Sequence, residues 1–227
     1  LADHRQQLPT TLAARVNLIP LTAIAYEIWR KRALSLLSGR PFPLHEEFAL
    51  MVKAMQPVAG SQFLDLGTST GLYARALLKA GAARVYGLDF SPPMLQVALK
   101  KARGYEGFVP LLAHAEAIPL PEAQVDGVVV GGSWNEFPNP QAVIDEIHRV
   151  LKPGGRLWIM FTHYSSSPLK RVLECTGLRF PALPELLGSL SSRGFRASGW
   201  REGAVGFVVG TKVPNAQTRH AKKQHSP

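Results

Sequence analysis

The chain has 227 residues, 46% of them apolar, with both charge signs present and a single cysteine, Cys175. That length suits one domain with a sizeable core and a small appendage, and one cysteine excludes a disulfide framework or a cysteine metal cluster within the chain. The formal charge of +10 is unevenly placed: residues 1–149 carry 14 Lys and Arg against 13 Asp and Glu, whereas residues 150–227 carry 12 against 3. The basic C-terminal third suits weak contact with an anionic membrane surface or RNA. No apolar run approaches the roughly 18–20 residues of a membrane span, and a reducing, cytoplasmic location is expected.

In chain order, apolar residues at helical spacing from Leu12 to Leu37 predict a helix over 11–38, interrupted at Pro20 and ending near Gly39. A second helix is expected over 44–55, between Pro43 and Pro57. These make residues 1–57 a helical N-terminal cap segment. From residue 61 the pattern alternates: strand 61–66, helix 71–80, strand 84–89, helix 92–103, strand 108–112, strand 125–131, helix 140–150 and strand 155–161. Short Gly- and Pro-marked connections between strands and helices predict an α/β fold, a Rossmann-like doubly wound sheet. Ser91-Pro92 and Asn139-Pro140 mark helix starts, and Gly154-Gly155 predicts a turn entering the strand that follows. Residues 163–182 are expected to form an insertion over the site, followed by a helix over 183–193. Strands 195–201 and 204–211 lie too close for a crossover, which requires an antiparallel hairpin. The main domain is placed at 58–212, with 213–227 as a disordered basic tail.

The chemistry centres on Phe63–Leu72, where an apolar strand enters a turn of small residues and then a helix, followed by Val85–Ser91, a second strand ending in Asp89. Small residues let backbone approach a ligand, and unpaired N–H groups at the helix start face its negative charge. A carboxylate at the second strand's end can accept hydrogen bonds from a ribose diol. A dinucleotide fingerprint would need glycine at 69 and 72, where the chain has Ser69 and Leu72; a phosphate-binding loop would need Gly-Lys-Ser/Thr, where Gly71 is followed by Leu72 and Tyr73. Both cofactor classes are disfavoured.

What remains resembles the acidic-x-Gly-x-x-x-Gly turn of the class I S-adenosylmethionine-dependent methyltransferases. Leu64–Gly71, Gly87–Ser91, Glu116–Pro119 and Val150–Gly155 place it nearest the ubiquinone- and menaquinone-biosynthesis type of small-molecule methyltransferase. The resemblance covers about residues 58–212 and implies strand order 3-2-1-4-5-7-6 with an antiparallel last strand. It implies S-adenosyl-L-methionine as cofactor, S-adenosyl-L-homocysteine as product, and a turn of Asp65, Gly67, Thr68, Ser69 and Gly71 around the methionine part. The family commonly has glycine at the place of Ser69. Asp89 carries over as the ribose ligand, and Phe90 either lies along adenine or packs in the core. The segment Leu112–Leu120 resembles the loop that closes over adenine, bringing in His114, Ala115 and Glu116. His114 stands where an aspartate usually binds the adenine amino group, and either its imidazole or the backbone around Ala115 takes that contact. Gly131 ends the fourth strand at the ligand edge.

Tyr26, Trp29 and Arg30 share one helical neighbourhood, and Tyr26 and Arg30 can reach the cofactor's carboxylate, unless the helix is simply amphipathic with Arg30 in water. Asn135 and His163, near the expected acceptor position, are the candidates for a catalytic role, with Trp134 as an apolar wall and Glu136 either polar at the site or a solvated helix start. No spacing suggests a metal site. The expected activity is methyl transfer to a small, apolar or aromatic acceptor. The alternatives are an RNA methyltransferase using the basic third, and a cofactor-binding protein without transfer activity.

Overall fold

In the computed structural model, residues 27–28, 30, 32, 34–163 and 174–214 are described. The parts of the expected N-terminal helix before residue 27, of the insertion over 164–173 and of the tail over 215–227 lie outside them. Residues 34–38 are helical and stop at Gly39, whose φ of +73° ends the helix at little steric cost. Helix α1 follows at Leu44–Ala54, with Glu46 and Glu47 in its first turn and Lys53 in its last, the polarity that a helix dipole favours.

The alternation then proceeds as β1 Gln62–Leu66, α2 Leu72–Lys79, β2 Arg84–Asp89, α3 Pro92–Lys101, β3 Phe108–Leu112, β4 Val125–Gly131, a single turn of 3-10 helix at Ser133–Glu136, α4 Pro140–Val150, β5 Leu151–Thr162, α5 Leu183–Ser191, β6 Phe195–Glu202 and β7 Val205–Lys212. The seven strands form one sheet in the order β3-β2-β1-β4-β5-β7-β6. The pairs from β3 to β5 are parallel, and β7 runs antiparallel to both β5 and β6. The helix starts expected at Ser91 and Asn139 are present: Ser91 Oγ accepts from Met94 N, Asn139 Oδ1 accepts from Ala142 N, and each is followed by proline.

One element differs from expectation. Gly154-Gly155 does not precede the strand but lies inside it, because β5 starts at Leu151 opposite Val125 and the register slips before Arg156 meets Gly127. The positive φ of Gly154 accommodates this bulge.

Alternate residues of β5 face opposite layers. Leu157, Ile159 and Phe161 join Val143, Ile144 and Ile147 of α4 and Leu186 of α5, whereas Trp158 and Met160 join Met51 and Met55 of α1 and Tyr73 and Leu77 of α2. Leu34 and Phe42 belong to the second layer, so residues 34–55 share a core with the sheet. Helix α3 buries Met94, Leu95 and Ala98 and packs on β2 and β3. The order reverses between β1 and β4, which makes their C-terminal ends the crevice where an open sheet binds ligands.

Candidate functional site

Three strand ends meet at this crevice. After β1 the chain turns through Gly67, Ser69 and Gly71, at φ of +70°, +50° and +78°. At Gly67 any side chain is also barred by space, since a Cβ there would lie 2.3 Å from Ser133 Oγ. Ser69 occupies a left-handed conformation that glycine adopts freely and that costs another residue about 1–2 kcal/mol, which explains the family's glycine at this place. Here Ser69 is held by both its groups: its N–H donates to Asp89 Oδ2 at 2.8 Å and its hydroxyl lies 3.3 Å from Met94 Sδ.

Asp65 is buried beneath the turn and receives Thr68 Oγ1 at 2.6 Å and Ala74 N at 3.0 Å, both on Oδ2. Thr68 N in turn donates to Leu88 O at 2.8 Å and ties the turn to β2. Burial, partly offset by those donors, pushes the Asp65 carboxyl up to about 7. Asp89 accepts from Ser69 N through Oδ2 and from Ser91 N through Oδ1 at 2.9 Å, and burial pushes it up to about 6. The two elements that the sequence singled out are thus in direct contact. The Phe90 amide donates to Asp89 as well, and since a carboxylate offers about four lone-pair sites, acceptor capacity for a ribose hydroxyl remains.

Beyond Asp89, the half-buried Phe90 stacks on the exposed His114, with ring centroids 5.8 Å apart and planes 14° from parallel. Phe90 is therefore not a core residue. Ala115 is buried, and Glu116 accepts from Asn139 N at 3.4 Å. This loop is fastened from α4 by residues that sequence reasoning missed: Glu146 accepts from Ile118 N, and Arg149 donates to the carbonyls of Ile118 and Leu120.

Arg30, Phe48, Asp65, Gly67, Thr68, Leu72, Tyr73 and Gly131 line a narrow cavity of about 20 Å³ at the turn. Arg30 is not in water, as an amphipathic helix would have it. It is 4% exposed and pairs with the fully buried Glu47 of α1 at 2.5 Å. Gly131 abuts the Tyr73 ring, which a Cβ would approach to 2.9 Å. Glu27, also missed, reaches the turn from the same N-terminal segment and bonds Thr70 Oγ1, Arg75 and Lys101. Tyr26 and Trp29 lie outside the described residues.

The acceptor-side residues separate into two kinds. Asn135 is buried, its Nδ2 donates to the carbonyls of Thr162 and Arg179 at 2.8 and 2.5 Å, and its Oδ1 accepts from Thr162 N at 2.7 Å. An amide engaged at both ends by backbone is a clamp between the 3-10 turn, β5 and the segment after it, which corrects its candidacy as a catalytic group. His163 differs: its Nδ1 lies 3.0 Å from Pro181 O. A carbonyl only accepts, so Nδ1 carries the proton and Nε2 is the basic nitrogen. Trp134 is buried against Phe137 and, with Ile144, Leu178, Phe180 and Leu186, lines a cleft of about 690 Å³ on the α4 and α5 side of the sheet.

A cavity of about 20 Å³ is far smaller than the cofactor, so the fit is one of residue chemistry: Arg30 and Asp65, which both line it, are of the types that suit the carboxylate and ammonium of an amino-acid end, and Asp89 next to the stacked Phe90–His114 pair suits a ribose carrying a base.

The comparisons with known proteins agree. A family model described as a methyltransferase domain matches residues 64–159. The chain is 34% identical over 141 residues to the demethylmenaquinone methyltransferase of Clavibacter sepedonicus, covering 62% of this chain and 56% of that protein. It is 30% identical over 165 residues to the demethylmenaquinone methyltransferase of Oceanobacillus iheyensis, covering 71% of this chain and 68% of the relative. The match to the Clavibacter protein thus spans little more than half of that relative's length. Among solved structures, a SAM-dependent methyltransferase from Aquifex aeolicus superposes with a TM-score of 0.63 at 22% identity, over 85% of this chain and 97% of the other. The chain belongs to the class I S-adenosylmethionine-dependent methyltransferases, in the branch that includes the quinone-biosynthesis enzymes.

Proposed function

We propose that this protein transfers a methyl group from S-adenosyl-L-methionine to a small, apolar or aromatic acceptor of the quinone type, in the cytoplasm. The observation that carries the reading is the contact between the turn and Asp89, with Arg30 and Asp65 lining one cavity beside it. When bound, the cofactor supplies an activated methyl on a sulfonium, and the protein's contribution is binding, orientation and exclusion of water. Asp65 and Arg30 hold the amino-acid end, Asp89 the ribose, and Phe90, His114 and Ala115 border the base.

On the acceptor side, the relatives named for demethylmenaquinone support a quinone-type ring. The cleft beside Trp134 supports a small-molecule occupant, since its volume falls in the range of about 300–1,000 Å³ usual for such sites. In this reading His163 accepts a proton through Nε2, supported by the bond of its Nδ1 to Pro181 O. Incubation with methyl-labelled cofactor and either a demethylated naphthoquinone or total RNA tests the assignment. Label should enter the quinone, and Leu178→Ala, at a half-buried residue of the cleft lining, should raise the acceptor KM about tenfold through lost apolar contact. Label entering RNA alone would refute it.

A further inference from the structure

Two residues on the cavity wall, Arg30 and Tyr73, come from different helical segments yet meet on one oxygen. Arg30 Nη2 donates to Glu47 Oε1 at 2.5 Å, and the Tyr73 hydroxyl donates to the same Oε1 while accepting from Trp158 Nε1 at 3.1 Å. Glu47 and Trp158 are 0% exposed, and Arg30 and Tyr73 are 4% exposed. The other carboxylate oxygen, Glu47 Oε2, is buried with no hydrogen-bond partner among the described residues.

For stability alone this arrangement is poor. A buried ion pair roughly breaks even against apolar residues of similar size, and an unsatisfied buried oxygen is a further cost. Its geometric effect is nevertheless specific. The guanidinium is a planar fork of five N–H donors, so a bond from one Nη to a rigidly buried carboxylate fixes the direction of the whole group. Tyr73 is fixed from the other side, between Glu47 and Trp158, and its ring closes the cavity against Gly131.

We infer that Glu47, which contacts no expected ligand, is a positioning residue that sets Arg30 and Tyr73 for the amino-acid end of the cofactor. The inference rests on the cofactor assignment above. Glu47 sits in the first turn of α1, where its backbone is held by a helix that packs on α2, so the carboxylate is fixed before any ligand arrives.

Two ligands separate positioning from general damage. S-adenosylhomocysteine has the amino-acid end; 5′-methylthioadenosine keeps adenosine and sulfur but lacks it. Calorimetric titration of the full chain should show Glu47→Gln weakening S-adenosylhomocysteine about tenfold, the scale of one charge-assisted hydrogen bond, with 5′-methylthioadenosine changed less than about twofold. Glu47→Asp keeps the buried charge and Arg30 but withdraws the carboxylate by one methylene, and should give the same selective loss, which keeps the test open if Glu47→Gln does not fold. Equal weakening of both ligands, or no weakening of either, overturns the positioning role. A wild-type chain that binds neither overturns the cofactor assignment and the inference with it.

Discussion

Asp65 and Asp89 show how burial and function compete in one side chain. Desolvation raises both carboxyls, to about 7 and about 6, while each accepts backbone amide bonds that favour its charged form. Both values lie above the ordinary carboxylate range of roughly 4, so the folded protein binds more protons than the unfolded chain between about pH 4 and 7. The cofactor-free protein should accordingly lose stability as pH rises through that window. Ligand affinity should move the opposite way. An ammonium or a ribose diol needs the ionised carboxylates, so S-adenosylhomocysteine binding should tighten from pH 5 to 8, by up to about tenfold per unit between about pH 6 and 7 and more steeply below that, where both carboxyls are protonated. Calorimetry at fixed ionic strength checks this, and Asp65→Asn should remove the portion of the slope near pH 7. A flat profile in the wild-type chain would mean that these carboxylates do not face the ligand.

Among the elements, α4 both supports the adenine loop through Glu146 and Arg149 and joins β5 with no intervening loop. Its C-terminal carbonyls need donors, and Lys212 of β7 supplies them. The buried Nζ reaches His148 O at 2.7 Å and Leu151 O at 2.9 Å, and burial lowers its pKa. Lys212→Met should cost about 2 kcal/mol in chemical denaturation, since two carbonyls lose a charged donor, while leaving S-adenosylhomocysteine affinity within about twofold. A loss of affinity as large as the loss of stability would show that this cap is coupled to the site. The lysine is invisible as a cap in the sequence, lying 61 residues from Leu151 and joined to it only by the β5–β7 pairing.

At the scale of the whole molecule, what was legible in the sequence was what repeats locally. Strand and helix periods, the Ser91-Pro92 and Asn139-Pro140 starts and the short β6–β7 link each depend on neighbouring residues, and they led to the α/β class and the antiparallel hairpin, whereas the order of the seven strands came from the family resemblance. The turn and Asp89 were legible because a spacing rule links them. Glu47, Glu27, Glu146 and the true part of Asn135 were not, since each acts on a residue 17 to 48 positions away, or on carbonyls whose position only the fold sets. Gly154-Gly155 misled for a related reason: a glycine pair reads as a turn unless its partner strand is known to continue past it.

On the function proposed, the turn at Gly67–Gly71 and Asp89 together hold one molecule of S-adenosyl-L-methionine, which titration of the wild-type chain and of Asp89→Ala would test. One cofactor should bind per wild-type chain, and the variant should bind at least about tenfold more weakly, from loss of the charge-assisted bonds to the ribose and to Ser69 N. Absence of binding to the wild-type chain, or equal affinity in the two, would contradict the account.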